Sequence, residues 1–181
     1  MAESVAKYGG FYVGRYEAGY TADNIPVTGY TSVKGQTVMT ANKASANKWY
    51  GLYKHLTTNM GVVNSTMIWG CQFDQVINFI GAQAQIGHLD KYLWSSTTEG
   101  TTSGFEPANN TKPLDIMKNV YDLEGNYNEW TVEANSMDSR VHRGSYFIFS
   151  AIGWFHPASY RGYREPTGTD SQRSSRATLY L

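Results

Sequence analysis

Asp122-Leu123-Glu124-Gly125-Asn126-Tyr127-Asn128-Glu129-Trp130-Thr131 is the stretch on which the reading of this chain turns. Its Glu124-Gly125 step predicts a turn, because glycine takes the positive φ that tight turns demand. Asn128 to Ala134 reads as the strand that follows. The same stretch crowds oxygen donors, with Asp122, Asn126, Asn128 and Glu129 inside eight residues. Hard cations such as calcium prefer six to eight oxygens, backbone carbonyls among them. A hydrogen-bonded turn, with Asp122 and Glu129 satisfying backbone donors, is the other reading of that crowding.

Downstream, Arg140-Val141-His142-Arg143-Gly144 and Arg176-Ala177-Thr178-Leu179-Tyr180-Leu181 are strand candidates separated by turns. Upstream, Gly9 to Gly19 reads as a strand bounded by glycines, with Phe11 and Val13 on one face and Tyr12 and Tyr16 on the other. Thr40 is the expected cap of a first helix whose stripe carries Ala44, Lys48 and Leu52, with Trp49, Tyr53 and Leu56 beside it. A second helix is predicted over Gln72 to Gln83, with Phe73, Val76, Ile77 and Ile80 at helical spacing. Gly87 to Lys118 is polar and reads mostly as surface loop. Helices followed by a run of short strands imply an α+β fold, not an alternating βαβ one.

A chain of 181 residues fits one domain, residues 1–181. Its formal net charge is zero and neither half carries a basic stripe, so no nucleic-acid partner is expected. No apolar run approaches the roughly 18 residues of a membrane helix, so no membrane insertion is expected. The one cysteine, Cys71, excludes an intrachain disulfide. Free cysteine is among the most buried residue types, so Cys71 is expected in the core. The histidines His55, His88, His142 and His156 lack the spacing of a metal-binding cluster. No phosphate loop or Gly-x-Ser-x-Gly elbow is present.

Aromatic residues are concentrated in one place. Tyr146, Phe147, Phe149, Trp154, Phe155, Tyr160 and Tyr163 fall within eighteen positions, against a chain average of 14%. From Tyr146 to Phe155 the run is nearly all apolar, so both faces of a strand there would be greasy. A buried central strand would do this. Gly144, Gly153 and Pro157 interrupt the run, however, and Arg161, Arg164 and Glu165 follow it at once. That favours an exposed patch, and such patches mark binding sites. The predicted ligand-binding residues are Tyr146, Phe147, Phe149, Ile152, Trp154, Phe155, His156, Tyr160, Arg161, Tyr163 and Arg164, with the two arginines adding hydrogen bonds at the rim.

Three segments together resemble the formylglycine-generating-enzyme-like family. Gly125-Asn126-Tyr127-Asn128-Glu129-Trp130 resembles its Gly-Asn-x-x-Glu-Trp motif, Arg140-Val141-His142-Arg143-Gly144 its arginine-glycine strand, and Phe11 to Glu17 its opening strand. The resemblance spans nearly the whole chain. It implies a C-type lectin fold: two helices around small, twisted antiparallel sheets, with extensive loops. Cysteine-oxidising members carry a pair of cysteines after the arginine-glycine strand, and Gly144 to Arg164 holds none. Other members are non-catalytic variable proteins of diversity-generating retroelements, and the ending of this chain resembles them most.

That branch implies a variable ligand-binding region, about 140–176. Randomising the adenines of asparagine codons yields Tyr, Phe, Ile, Ser, Ala, Gly, His, Asp, Thr and a few others, but not Lys, Glu, Gln, Met or Trp. Most positions from Ser145 to His156 hold residues of that set; Trp154 does not. The expected partner is a protein or glycan on a cell surface. The expected setting is a virion or bacterial surface, as part of a longer protein. By resemblance, Asp122, Gly125, Tyr127 and Glu129 would hold calcium, with no cofactor strictly required. The other functions considered are a metal-dependent oxidoreductase of the same family and a fixed calcium-dependent lectin.

Overall fold

The computed structural model describes residues 2–20, 37–40, 48–58, 64–80, 116–123, 125–146, 156, 158–168 and 171–180. Three helices lie among them: α1 (Ala2–Tyr8), α2 (Lys48–Thr58) and α3 (Gly70–Ile80). The strands are β1 (Tyr12–Val13), β2 (Gly19–Tyr20), β3 (Thr37–Val38), β4 (Asn64–Met67), β5 (Ile116–Met117), β6 (Val120–Tyr121), β7 (Asn128–Ser136), β8 (Ser139–Arg143), β9 (Arg161–Arg164), β10 (Arg173–Ser174) and β11 (Ala177–Tyr180).

The two helices expected from periodicity are α2 and α3. In α2, Trp49, Leu52 and Leu56 point inward at helical spacing and meet Met39, Met67, Trp130 and Ala177. Thr40 is buried and lies outside the helix, whose first described residue is Lys48; residues 41–47 fall outside the described set. The Ser65 hydroxyl donates to the Leu56 carbonyl at 2.7 Å, satisfying an acceptor near the helix end. In α3, Phe73, Val76, Ile77 and Ile80 pack with Ile68, Val120, Leu123 and Ala158. The Trp69 amide donates to the Gln72 side chain at 2.9 Å, one half of a capping box. α1 is an addition to the two-helix expectation.

A three-stranded antiparallel sheet, ordered β1-β11-β4, joins the beginning of the chain to its end, with Tyr12 opposite Leu179 and Thr178 opposite Thr66. The opening strand is far shorter than the glycine-bounded segment suggested. Phe11 and Val13 pack inward as expected, but Tyr12 is exposed while Tyr16 is buried, so those two tyrosines do not share a face. A bend after Val13 is the reason: period two holds only while the backbone stays extended.

The second large sheet runs β10-β7-β8-β9. Its β10–β7 pairing is parallel, with Arg173 opposite Asn128 and Ser174 opposite Glu129, where only antiparallel pairing was expected. Trp130, His142 and Gly162 line up across β7, β8 and β9. The indole of Trp130 meets the His142 ring edge-on at 5.8 Å, and Gly162 leaves room for that imidazole. A methyl group at 162 would sit 2.3 Å from His142 Cε1 and 3.0 Å from Tyr160 Cε1.

Gly162→Ala should therefore lower stability by about 1–3 kcal/mol through overpacking. Urea unfolding of the variant checks this; an unchanged midpoint would mean that the imidazole swings aside freely.

Candidate ligand-binding site

The oxygen-rich stretch folds around a cation that the chain itself supplies. Arg176, fully buried, donates through Nε to both Glu129 oxygens, at 2.7 and 2.8 Å, and its Nη2 also contacts Oε1. Nη2 reaches the Tyr121 carbonyl at 2.8 Å, and Nη1 the Gly14 carbonyl at 3.1 Å. Burial alone would lower the Arg176 pKa, but the Glu129 carboxylate outweighs it and the net shift is upward. Glu17 and Asp122 are also buried, and Asn126 donates to Glu17 Oε2. Burial, reinforced by the charges of Glu129 and Asp122, pushes the Glu17 carboxyl well above the ordinary range.

This arrangement does not fit the calcium expected at Asp122, Gly125, Tyr127 and Glu129. Both oxygens of Glu129 are engaged by a guanidinium, and a divalent ion beside them would face its full positive charge. Among the described residues no three His, Cys, Asp or Glu side chains converge as a metal site. Cys71 corrects another expectation. It is exposed on α3, because at helical spacing the inward positions belong to Phe73, Val76 and Ile77.

The aromatic segment is fastened at both of its described ends. Tyr146 was expected on the outer face, but only 8% of it is exposed, and its ring meets Tyr127 at 5.5 Å in a small core with Val38. Beside it Gly144 takes a positive φ of 69°, and its carbonyl accepts from the Asn128 side chain at 2.8 Å. At the other end Ala158 is fully buried in the α3 core. Phe147, Phe149, Ile152, Trp154 and Phe155 lie outside the described residues.

Around that second anchor the structure assigns different surroundings to each predicted residue. His156 stacks on Tyr160, with ring centroids 3.8 Å apart and both rings partly exposed. Arg161 is engaged at home: it donates to Asp74 and to Glu133, each at 2.6 Å. Asp74 receives Arg143 at 2.6 Å as well, so two arginines tie β8 and β9 to α3. Tyr163 is 62% exposed, and Arg164 beside it is exposed too.

Tyr163 and Arg164 line an open cleft of about 730 Å³. The turn joining β7 and β8 forms one wall, with Asn135 and Asp138. Glu165, just after β9, and Gln172 and Arg173, at the start of β10, line the cleft as well. The sequence reading missed the wall residues, because a polar hairpin turn has no signal that separates it from any other. Arg173 is buried, with its guanidinium 5.5 Å from the Trp130 ring, so this end of the cleft rests on the core.

His142 lies behind β9, in contact with Tyr160. Burial, and then the charges of Arg173, Arg164 and His156, push its pKa from 6.5 down to about 3. The folded state thus keeps it neutral.

No family model matches the chain, and no curated protein does. Solved structures do. Treponema denticola variable protein 1 superposes with a TM-score of 0.52 at 14% identity, over 94% of this chain and 84% of that one. PvdO from Pseudomonas aeruginosa reaches a TM-score of 0.47 at 15% identity, over 94% and 80%. CarF reaches 0.43 at 10% identity, over 99% and 82%. The chain therefore has the α+β C-type lectin fold that its motifs implied, shared in outline with a variable protein.

Two outcomes follow for the buried charges. Arg176→Ala should cost about 3–5 kcal/mol, by leaving Glu129 buried without its cation, and calcium or EDTA should not shift the thermal midpoint of the parent. A midpoint raised by calcium would contradict the fit described above.

The pH dependence has two opposed parts. The depressed His142 pKa contributes stability that is complete above pH 6.5 and lost as pH falls toward about 3. The raised Glu17 pKa works the other way: stability declines as pH rises above the unfolded value of 4.5 toward the higher folded one. In urea melts at stepped pH, His142→Gln should flatten the acid side, and Glu17→Gln should gain on the parent as pH rises from 5 to 8. Parallel profiles for parent and variants would refute both assignments.

Proposed function

We propose that this chain is a non-catalytic ligand-binding domain whose C-terminal surface is diversified by a retroelement. The observation that carries the reading is the fastening of the aromatic segment at both ends. Tyr146 and the Asn128–Gly144 hydrogen bond hold one end; Ala158 and the Arg161 ion pairs hold the other. A segment that must accept new side chains without unfolding the domain needs its ends fixed by residues that do not change. The fold shared with a variable protein and the asparagine-codon set of residues support the same reading.

On this reading the binding residues are Phe147, Phe149, Ile152, Trp154 and Phe155, with His156, Tyr160, Tyr163 and Arg164. Tyr146 and Arg161 are reassigned to anchoring. Rigid aromatic side chains suit the task, since they bury large area at small entropic cost. The partner is a protein or glycan on a cell surface, and the domain belongs to a longer protein displayed on a virion or bacterium.

In the source DNA, the coding segment should differ from a nearby template repeat only where the template carries adenine. Mismatches spread over all four bases would end the idea. At the protein level, replacing Phe147, Phe149 and Phe155 together by alanine should leave the thermal midpoint within about 2–4 °C of the parent. Tyr146→Ala alone should cost about 3 kcal/mol. A collapse of the triple variant would instead make those rings core.

A further inference from the structure

β9 ends the four-stranded sheet, and its outer side is open. It pairs with β8 along its whole length, from Arg161 opposite Arg143 to Arg164 opposite Arg140. In an antiparallel pair alternate residues turn their N–H and C=O toward the neighbour, and the others turn them away. Among the described residues no backbone bond and no further strand meets the outward groups of β9. Such an edge is a template for another strand unless something blunts it. β9 carries no proline and no register shift against β8. The charge at its start, Arg161, is already taken up by Asp74 and Glu133.

The side chains say what kind of strand this edge would take. Residues directly opposite one another share a face of the sheet, and like charges so placed repel. β8 and β9 carry two such arginine pairs, on opposite faces because they stand an odd number of residues apart along each strand. The pair Arg143 and Arg161 is compensated: Asp74 receives both at 2.6 Å, and Glu133 receives Arg161 at 2.6 Å. The pair Arg140 and Arg164 has no carboxylate partner among the described residues. Arg140 donates to the Ser136 and Ser139 carbonyls, at 3.5 and 3.2 Å, and lies 5.2 Å from the Trp49 ring. Arg164 is exposed. The fold answers one arginine pair with its own acids and leaves the other, at the open edge, unanswered.

We propose that β9 is a docking edge for an extended acidic segment of a partner protein, added as a further strand of the sheet. Main-chain hydrogen bonds hold the segment, and its side chains are read in alternation. Successive side chains of an added strand fall on opposite faces. One falls beside Arg164, where a carboxylate completes the row that Arg140 begins, through a charge-assisted hydrogen bond. The next falls beside Tyr163, whose ring is on the other face and 62% exposed, and there an apolar side chain packs. A second copy of the chain is a poorer occupant. Two β9 strands paired about a twofold would set Arg164 opposite the Arg161 of the other copy, like charge on like. The inference rests on the recognition role given above to Tyr163 and Arg164, adds the chemistry of the partner, and needs no diversification.

The test uses the full chain and three blocked heptapeptides, which alternate valine with glutamate, with glutamine or with lysine. Two further versions of the glutamate peptide are N-methylated on the valines or on the glutamates, so that each lacks one of its two rows of N–H donors. In titration calorimetry the glutamate peptide should bind at least tenfold tighter than the other two, and added salt should shrink that advantage. Arg164→Ala should erase it, whereas Lys7→Ala, which removes an exposed charge from α1, should keep it. Amide exchange at β9 should slow in the complex. Methylation of one donor row should abolish binding, and of the other should change it by no more than a few-fold; this arm needs no variant to fold. Attraction of charge alone would leave the two methylated peptides equal and overturn the strand pairing. Equal affinity for the glutamate and lysine peptides, or no binding tighter than about 1 mM, would overturn the proposal as well. A free chain that sediments as a dimer, with β9 amides slow to exchange before any peptide is added, would give the edge to a second copy and overturn it too. The alanine and DNA-template tests of the proposed function are separate measurements, so failure here leaves that reading standing.

Discussion

A guanidinium and a carboxylate, both shut away from water, hold the centre of this molecule. Arg176 lies just before the last strand and Glu129 near the start of β7, 47 residues apart in sequence. Neither could be buried alone, because an unpaired charge in the interior costs several kcal/mol. Their pairing therefore demands that β7, β10 and β11 come together. The remaining Arg176 donors reach the carbonyls of Gly14 and Tyr121, which draws in the segment after β1 and the end of β6. One side chain thus ties four parts of the chain at one point.

Such a hub suits a domain built from short strands. Several pairings here involve only two residues on each strand, and isolated pairings of that length are not stable in water. The ladder is supplemented by side-chain bonds to backbone: Trp49 to the Thr131 carbonyl, Ser175 to the Trp130 carbonyl, Thr131 to the Val141 carbonyl. These bonds satisfy carbonyls that longer sheets would satisfy with neighbouring strands. Rigidity obtained in this way leaves part of the surface at β9 without a structural duty. Tyr163 and Arg164 are of this kind; Arg161, clamped between Asp74 and Glu133, is not.

The aromatic segment shows how far periodicity carries an argument. Seven rings in a short stretch announced that something would be greasy, but not which rings would face water. Tyr146 went inward because Gly144 turns the chain with a positive φ and presents that ring to Tyr127. Burial is set by what a residue meets across the structure, and Tyr127 lies nineteen positions away. The same reasoning applies to the oxygen donors around Glu129. Their chemistry suits a cation, and a cation is there, but it comes from the far end of the sequence as Arg176.

What the sequence determined by itself was local and order-dependent. The inward stripes of α2 and α3, the strand after Asn128, the strand ending at Arg143 and the final strand all follow from spacing and turn residues, because those depend on near neighbours in the chain. The motif order also carried the fold class. Only the tertiary structure decided which charges neutralise one another, that β10 runs parallel to β7, that Cys71 is exposed, and that a hairpin turn and β9 enclose a polar cleft. Each of those depends on contacts between residues far apart in sequence, and desolvation and packing act on such contacts only once the chain has closed.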